Sequence, residues 1–231
     1  MGPSAAPTAI KAVVFDFDGV IANSEPLHFA AFRDVLRDAG VAFTDQEYYA
    51  AYLGYDDVGV FRAVARARKL PWGADEIAQL VGAKAVRLEA LEQEGAVLFP
   101  GASDAIARLA AAFPLAIASG ALRAEILRVL DAARLRRFFP VVVAAEDTAA
   151  SKPAPDPYLR AVHLLGTHVS QRLDASSCVA IEDSKWGLAS ARTAGLRTIG
   201  ITHTYPADAL APVDLIIDTL DSLTIELIQR L

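Results

Sequence analysis

Six short apolar runs rich in β-branched residues recur along the chain: Ala12–Phe15, Leu115–Ala118, Val141–Ala144, Cys178–Ile181, Thr198–Ile201 and Leu215–Ile217. None alternates polar with apolar. A strand exposed on one face would carry a polar residue at every second position, so these runs suit strands covered on both faces. Between most of them lie segments with apolar residues at three-to-four spacing: Asp104–Ala112, Ala124–Ala133, Pro157–Leu165 and Lys185–Ala194. Asp156-Pro157 reads as an N-cap and first helical position, and Gly166 and Gly195 read as C-terminal stops. Strand and helix in alternation predict an α/β fold, a Rossmann-like parallel sheet core with helices on both faces.

One stretch breaks that rhythm. From about Asn23 to Glu94 there is only helical pattern: Pro26–Ala39 stopped by Gly40, a capping-box signature in Thr44-Asp-Gln-Glu47, then Asp57–Lys69 and Ala74–Glu94, stopped by Gly95. Such a block is too long for a crossover built of one helix and connections of about 2–6 residues. It reads as an inserted α-helical domain, with hinges near Ala22–Ser24 and Gly95–Phe99. The expected organisation is a disordered leader over 1–10, a catalytic core over 11–22 and 96–231, and a helical insert over 23–95.

Composition narrows the function. The 231 residues suit one large domain or a core with an inserted one. No apolar run reaches the roughly 18 residues of a membrane span. The first ten residues lack a basic start and a long apolar segment, and the single cysteine, Cys178, lies in an apolar run that suits the core. A cytoplasmic chain, monomeric or weakly dimeric, is expected. A net charge of −6 without a basic cluster argues against nucleic-acid and membrane-surface partners. It also means that an anionic substrate must meet its own local cation.

Ligands of open parallel sheets bind beyond the carboxyl ends of the strands. Four strand ends here deliver Asp16-Phe17-Asp18-Gly19, Ser119-Gly120, Ser151-Lys152-Pro153 and Glu182-Asp183-Ser184. Carboxylates from two strand ends make a hard, all-oxygen site suited to Mg2+. Ser119 and Lys152 offer a donor and a positive charge to the oxygens of a phosphate. Asp16 has the chemistry to attack phosphorus, and Asp18, two residues on, to act as general acid and then base. Gly19 relieves the tight turn that directs Asp18 into the site.

In order, these four segments resemble the motifs of the haloacid dehalogenase-like hydrolases, and the helical block resembles that family's cap. The resemblance runs from about Lys11 to Leu231. It implies Asp16 as nucleophile and metal ligand, and Asp18 as acid/base with its carbonyl on the metal. It further implies Ser119, Gly120 and Lys152 as phosphate binders, Asp183 as the second metal carboxylate and Glu182 as an outer or alternate ligand. The dehalogenases lack an acid at the Asp18 position, which points to phosphate chemistry on a small phosphorylated substrate.

Asn23-Ser-Glu-Pro-Leu-His28 resembles the β-phosphoglucomutase-like subgroup, in which a matching histidine lies near the acid/base, so His28 is a candidate substrate contact. That subgroup holds mutases as well as phosphatases. The mutases carry a cap arginine for the substrate's far phosphate, whereas the matching stretch here is Gly54-Tyr55-Asp56-Asp57-Val58; Leu122 also stands where the mutases often have lysine. Both departures favour a phosphatase over a mutase, so the expected function is a magnesium-dependent phosphatase of a small metabolite, a sugar phosphate first, with a sugar-phosphate mutase as the alternative and a non-enzymatic metal-binding module as a third reading. Arg123 is expected to open a helix, the tyrosines from 48 to 55 to build the insert's core, Trp186 to pack, and 167–177 to form a surface loop.

Overall fold

A computed structural model describes residues 9–52, 55–93 and 98–231. The chain divides into two compact units, Met1–Asn23 with Val97–Leu231, and Ser24–Ala96. The first ten residues, Gly54 and the Gly95 end of the second hinge lie wholly or partly outside the described residues.

In chain order the elements are β1 (Ala12–Phe15), α1 (Glu25–Asp38), α2 (Asp45–Ala51), α3 (Asp57–Arg68), α4 (Ala74–Gln93), α5 (Ala102–Ala110), β2 (Leu115–Ala118), α6 (Arg123–Ala132), β3 (Val141–Val143), α7 (Asp156–His168), β4 (Cys178–Glu182), α8 (Lys185–Thr193), β5 (Arg197–Ile201), α9 (Ala207–Leu210), β6 (Leu215–Ile217) and α10 (Ile225–Gln229). The six strands form one parallel sheet in the order β3-β2-β1-β4-β5-β6. All six expected runs are strands. Chain order reverses beside β1, where the sequence leaves to one side through β2 and β3 and returns on the other through β4, which opens a crevice at the strand ends.

Burial explains the run pattern. β1, β2 and β4 are buried at every residue, so no position in them tolerates a charge until the last residue of β4, Glu182. Ala12, Val14, Ala116, Ala118, Cys178 and Ala180 pack with Tyr158, Ala161 and Leu165 of α7 in one cluster. The small residues of the strands let a bulky helix face sit close.

Two expected helix ends differ. Asp156 and Pro157 are the first two helical residues rather than cap and first position, with Pro155 as N-cap. α7 continues through Gly166 to His168, so Thr167 and His168 are helical rather than loop. Gly166 serves the returning chain instead: a Cβ there would stand 2.8 Å from the Gln171 carbonyl. Leu173 and Ala175, farther along that segment, pack on the core.

The helical unit has its own core. Phe32, Phe43, Tyr48, Tyr52, Phe61 and Ile77 are buried together, with Phe29 and Trp72 against them. Tyr48 and Tyr52 are thus core, while Tyr49 and Tyr55 are exposed. Thr44 caps α2 by accepting from Glu47 N–H at 3.2 Å, but only half of the capping box forms, because the Glu47 carboxylate takes Arg68 at 2.8 Å. α1 and α4 are joined through Asp34, 4% exposed, which accepts from Arg33, Arg37 and Arg87. Phe61 is fully buried and meets Phe32 edge-on, with ring centroids 5.3 Å apart. Phe61→Ala should cost about 3–5 kcal/mol, read as a lower urea midpoint; an unchanged midpoint would contradict this core.

Candidate active site

The sheet register assembles the site. β1 pairs Phe15 with Ile117 of β2 and Ile181 of β4, so the next residues, Asp16 and Glu182, face each other across neighbouring strand ends. Asp16 N–H donates to the Ile181 carbonyl at 2.9 Å, which carries the ladder one residue past the strand. Ser119 follows β2, with its N–H on the Val143 carbonyl and its Oγ accepting from Ala121 N–H at 3.0 Å. That turn buries Ser119 and leaves Gly120 exposed.

Lys152 reaches in from the segment after β3. Its Nζ lies 2.8 Å from Asp16 Oδ1 and 2.6 Å from Glu182 Oε1. Glu182 is completely buried, and every oxygen is engaged: Oε1 also accepts from the Tyr158 hydroxyl, and Oε2 from Asp183 N–H, Ser184 N–H and Ser184 Oγ. Gly187 makes this possible, since a Cβ there would fall 1.6 Å from Glu182 Oε1. Ser184 doubles as the N-cap of α8, accepting from Gly187 N–H at 3.1 Å. Glu182 therefore anchors the lysine, and Tyr158, a residue that reads in sequence as helix core, orients the anchor.

Asp18 stands in the turn after Asp16 and forms a β-bridge with Ala22. Gly19 takes φ +76°, a left-handed conformation that disfavours a side chain, and a Cβ there would fall 1.9 Å from Asp183 Oδ2. The turn is thus compressed against Asp183. The Thr204 side chain, after β5, lies beside the Asp183 carboxylate and works against the upward push of burial on it.

The electrostatics of this cluster are unbalanced. Asp16, Glu182 and Asp183 each bring an oxygen within 4.8 Å of the others, against the one ammonium of Lys152. Burial, with Glu182 and Asp183 nearby, holds the Asp16 carboxyl well above its ordinary range despite Lys152. Burial and Glu182 push Asp183 up to about 7. Burial acts on Glu182 too, but Lys152 and its hydrogen bonds outweigh it and hold that carboxyl low. Lys152 is held above the usual lysine range because the two carboxylates outweigh its own burial. The single ammonium of Lys152, shared with Glu182, thus leaves Asp16 and Asp183 short of compensating positive charge. A hard divalent cation bound by oxygen would supply it, and the donor set fits magnesium.

Other expected residues fall as follows. Arg123 opens α6 and is tied to Asp147 and the Val142 carbonyl. Trp186, expected to pack, is exposed, with the Lys185 ammonium 4.9 Å above its ring. His28 belongs to the helical unit, where its Nδ1 lies 2.9 Å from Lys84 Nζ, and Lys84 in turn donates to Asp57 at 2.8 Å. Burial and the Lys84 charge bring His28 down to about 4, so it is neutral and accepts from the lysine. Spacing held no sign of Lys84, 1% exposed within a helix, or of Tyr158.

A cation at Asp183 must displace a proton below about pH 7, so its affinity falls with acidity. Magnesium should therefore raise the melting temperature more at about pH 8 than at about pH 5.5, and Asp183→Asn should remove most of that shift. Equal shifts at both pH values in scanning calorimetry would contradict it.

The family model for haloacid dehalogenase-like hydrolases matches residues 13–201. The Protein CbbY of Rhodobacter capsulatus is 36% identical over 198 residues, 82% of this chain and 84% of that protein. Hexitol phosphatase B of Escherichia coli K12 is 32% identical over 203 residues, 84% of each. A crystal structure of CbbY from Rhodobacter sphaeroides in complex with phosphate superposes with a TM-score of 0.78 at 28% identity, covering 96% of this chain and all of that one. No described helix is long and apolar enough to cross a membrane.

Proposed function

The chain belongs to the haloacid dehalogenase-like hydrolases and is a phosphoric monoester hydrolase among them, and from that premise we propose that it dephosphorylates a sugar or polyol phosphate, with magnesium as cofactor and Asp16 as covalent nucleophile. The observation that carries the reading is Lys152 clamped between Asp16 and Glu182 at 2.8 and 2.6 Å. This places a fixed cation against the proposed nucleophile, where a phosphoryl oxygen would need it. Magnesium, held by the Asp16 and Asp183 carboxylates and the Asp18 carbonyl, would supply further positive charge to the transferring group.

The chain's own residues account for the rest of the reaction. Ser119 and Lys152 bind the phosphoryl oxygens, with Gly120 beside them. An Asp16 oxygen attacks phosphorus, the ester P–O bond breaks, and the leaving oxygen takes the proton of the Asp18 carboxyl. Asp18 then removes a proton from water, whose oxygen attacks the aspartyl-phosphate, releasing orthophosphate and regenerating Asp16. Glu182, with both oxygens engaged, acts by holding Lys152 rather than as a direct metal ligand.

A sugar or polyol phosphate is supported by the relative named hexitol phosphatase B. Phosphatase over mutase is supported by the helical unit. Tyr55–Val58 contains no arginine, Asp56 caps α3 through Gly59 N–H, and Asp57 neutralises Lys84. Neither aspartate offers a cation to a second phosphate.

Asp16→Asn should lower phosphate release by at least about a thousandfold without changing the circular dichroism spectrum, and EDTA should silence the wild type. A colorimetric screen of sugar and polyol phosphates reads both. Wild-type turnover by Asp16→Asn would remove the mechanism. Conversion of β-glucose 1-phosphate to glucose 6-phosphate without free phosphate, given a trace of the bisphosphate, would transfer the chain to the mutases.

A further inference from the structure

Three segments of the sheet unit meet at His203, in the loop after β5. Its Nδ1 lies 2.9 Å from the Gly19 carbonyl oxygen. Its ring stacks on Phe99, with centroids 3.8 Å apart and planes 16° from parallel. A carbonyl only accepts, so Nδ1 carries the proton and donates it. Burial lowers the histidine's pKa, in keeping with a neutral ring.

Phe99 is tied to the same turn from its other end. Its N–H donates to the Ile21 carbonyl at 3.0 Å, beside the antiparallel bridge between Ala22 and Leu98. Within the turn, Gly19 N–H donates to the Ala22 carbonyl, and both Ile21 and Ala22 N–H donate to the Phe17 carbonyl. These bonds fix both ends of the turn. The Gly19 carbonyl points out of this set, and its donor comes from His203, distant in sequence.

That carbonyl is a sensitive place. Gly19 has the broadest backbone freedom of any residue, sits at φ +76°, and directly follows Asp18. That carbonyl belongs to the peptide joining Gly19 to Val20, so a swing of it turns Gly19 and through it the link back to Asp18, and small displacements of a reacting group carry large kinetic penalties. The residue beside His203, Thr204, lies next to the Asp183 carboxylate, which a Cβ on Gly19 would strike.

We propose that His203 is a positioning residue for the catalytic turn: held on Phe99, it donates to the Gly19 carbonyl and thereby sets the aim of Asp18. The proposal rests on the reading of Asp18 as acid and base. It separates the hydrogen bond from the ring stack, which alone would be ordinary packing worth about 0.5–1.5 kcal/mol beyond area burial.

Two substitutions divide those roles. His203→Phe keeps an aromatic ring over Phe99 but has no donor. His203→Asn carries a donor near the Nδ1 position but has no ring. The Phe variant should lose about tenfold in kcat with KM within about twofold, whereas the Asn variant should keep kcat within about threefold even if it melts earlier. Hydrogen exchange at the Gly19 amide should accelerate in His203→Phe and stay near wild type in His203→Asn. This second readout needs no substrate, so it stands apart from failure of the phosphatase reading. If His203→Phe does not melt cooperatively, His203→Leu takes its place in both measurements. A donor-less variant with wild-type kcat and exchange would overturn the proposal, as would an Asn variant as impaired as the donor-less one.

Discussion

A buried ammonium between two carboxylates organises the rim of the sheet. Lys152 touches Asp16 and Glu182 at once, and Glu182 is so enclosed that only a full set of donors makes its charge tolerable there. Isolated burial of such a charge would cost many kcal/mol, and a paired, fully hydrogen-bonded arrangement offsets most of that. Tyr158, Ser184 and the two backbone N–H groups after β4 complete the set. What stays under-compensated is the pair Asp16 and Asp183, both raised by burial and by the nearby Glu182, and the proposed function puts the cation and the phosphoryl group there.

The helical unit repeats this physics for another purpose. Lys84, almost completely buried, is satisfied by the neutral imidazole of His28 and by Asp57, and its charge also lies 4.9 Å from the Phe32 ring centroid. At the rim of the sheet the lysine is outnumbered by carboxylates; in the helical unit its partners neutralise it. The same residue type thus has two consequences set by the number of carboxylates around it.

Much of this was legible in the residue string. The strand runs were readable because strands covered on both faces admit no polar residue, and their ends because the first polar residues after each run must lie at the rim. Asp16, Ser119 and the Glu182-Asp183 pair stood out for that reason, and Lys152, past an acidic pair after its run, stood out as the cation a rim of carboxylates needs. Asp18 and Gly19 were visible because an acid followed by a turn-forming glycine is a local signal. Tyr158 was not, since its hydroxyl acts on a residue 24 positions away while its ring sits in a helix whose pattern is satisfied by packing alone. Gly187 gave no sign for the same reason: its requirement comes from the Glu182 side chain. Trp186 misled because a large apolar residue beside a motif suggests a core contact, whereas its helix face is turned to solvent.

By itself the sequence determined the alternation of strand and helix, the all-helical insert, and which residue types reach the strand ends. These follow from local burial and backbone preference, which are written residue by residue. Only the tertiary structure decided which oxygen of Glu182 meets Lys152, that Gly166 lies within a helix, and that His203 reaches Gly19 from 184 residues away. Those are outcomes of register and close packing between segments, and such distances depend on every element between them rather than on any stretch of the chain.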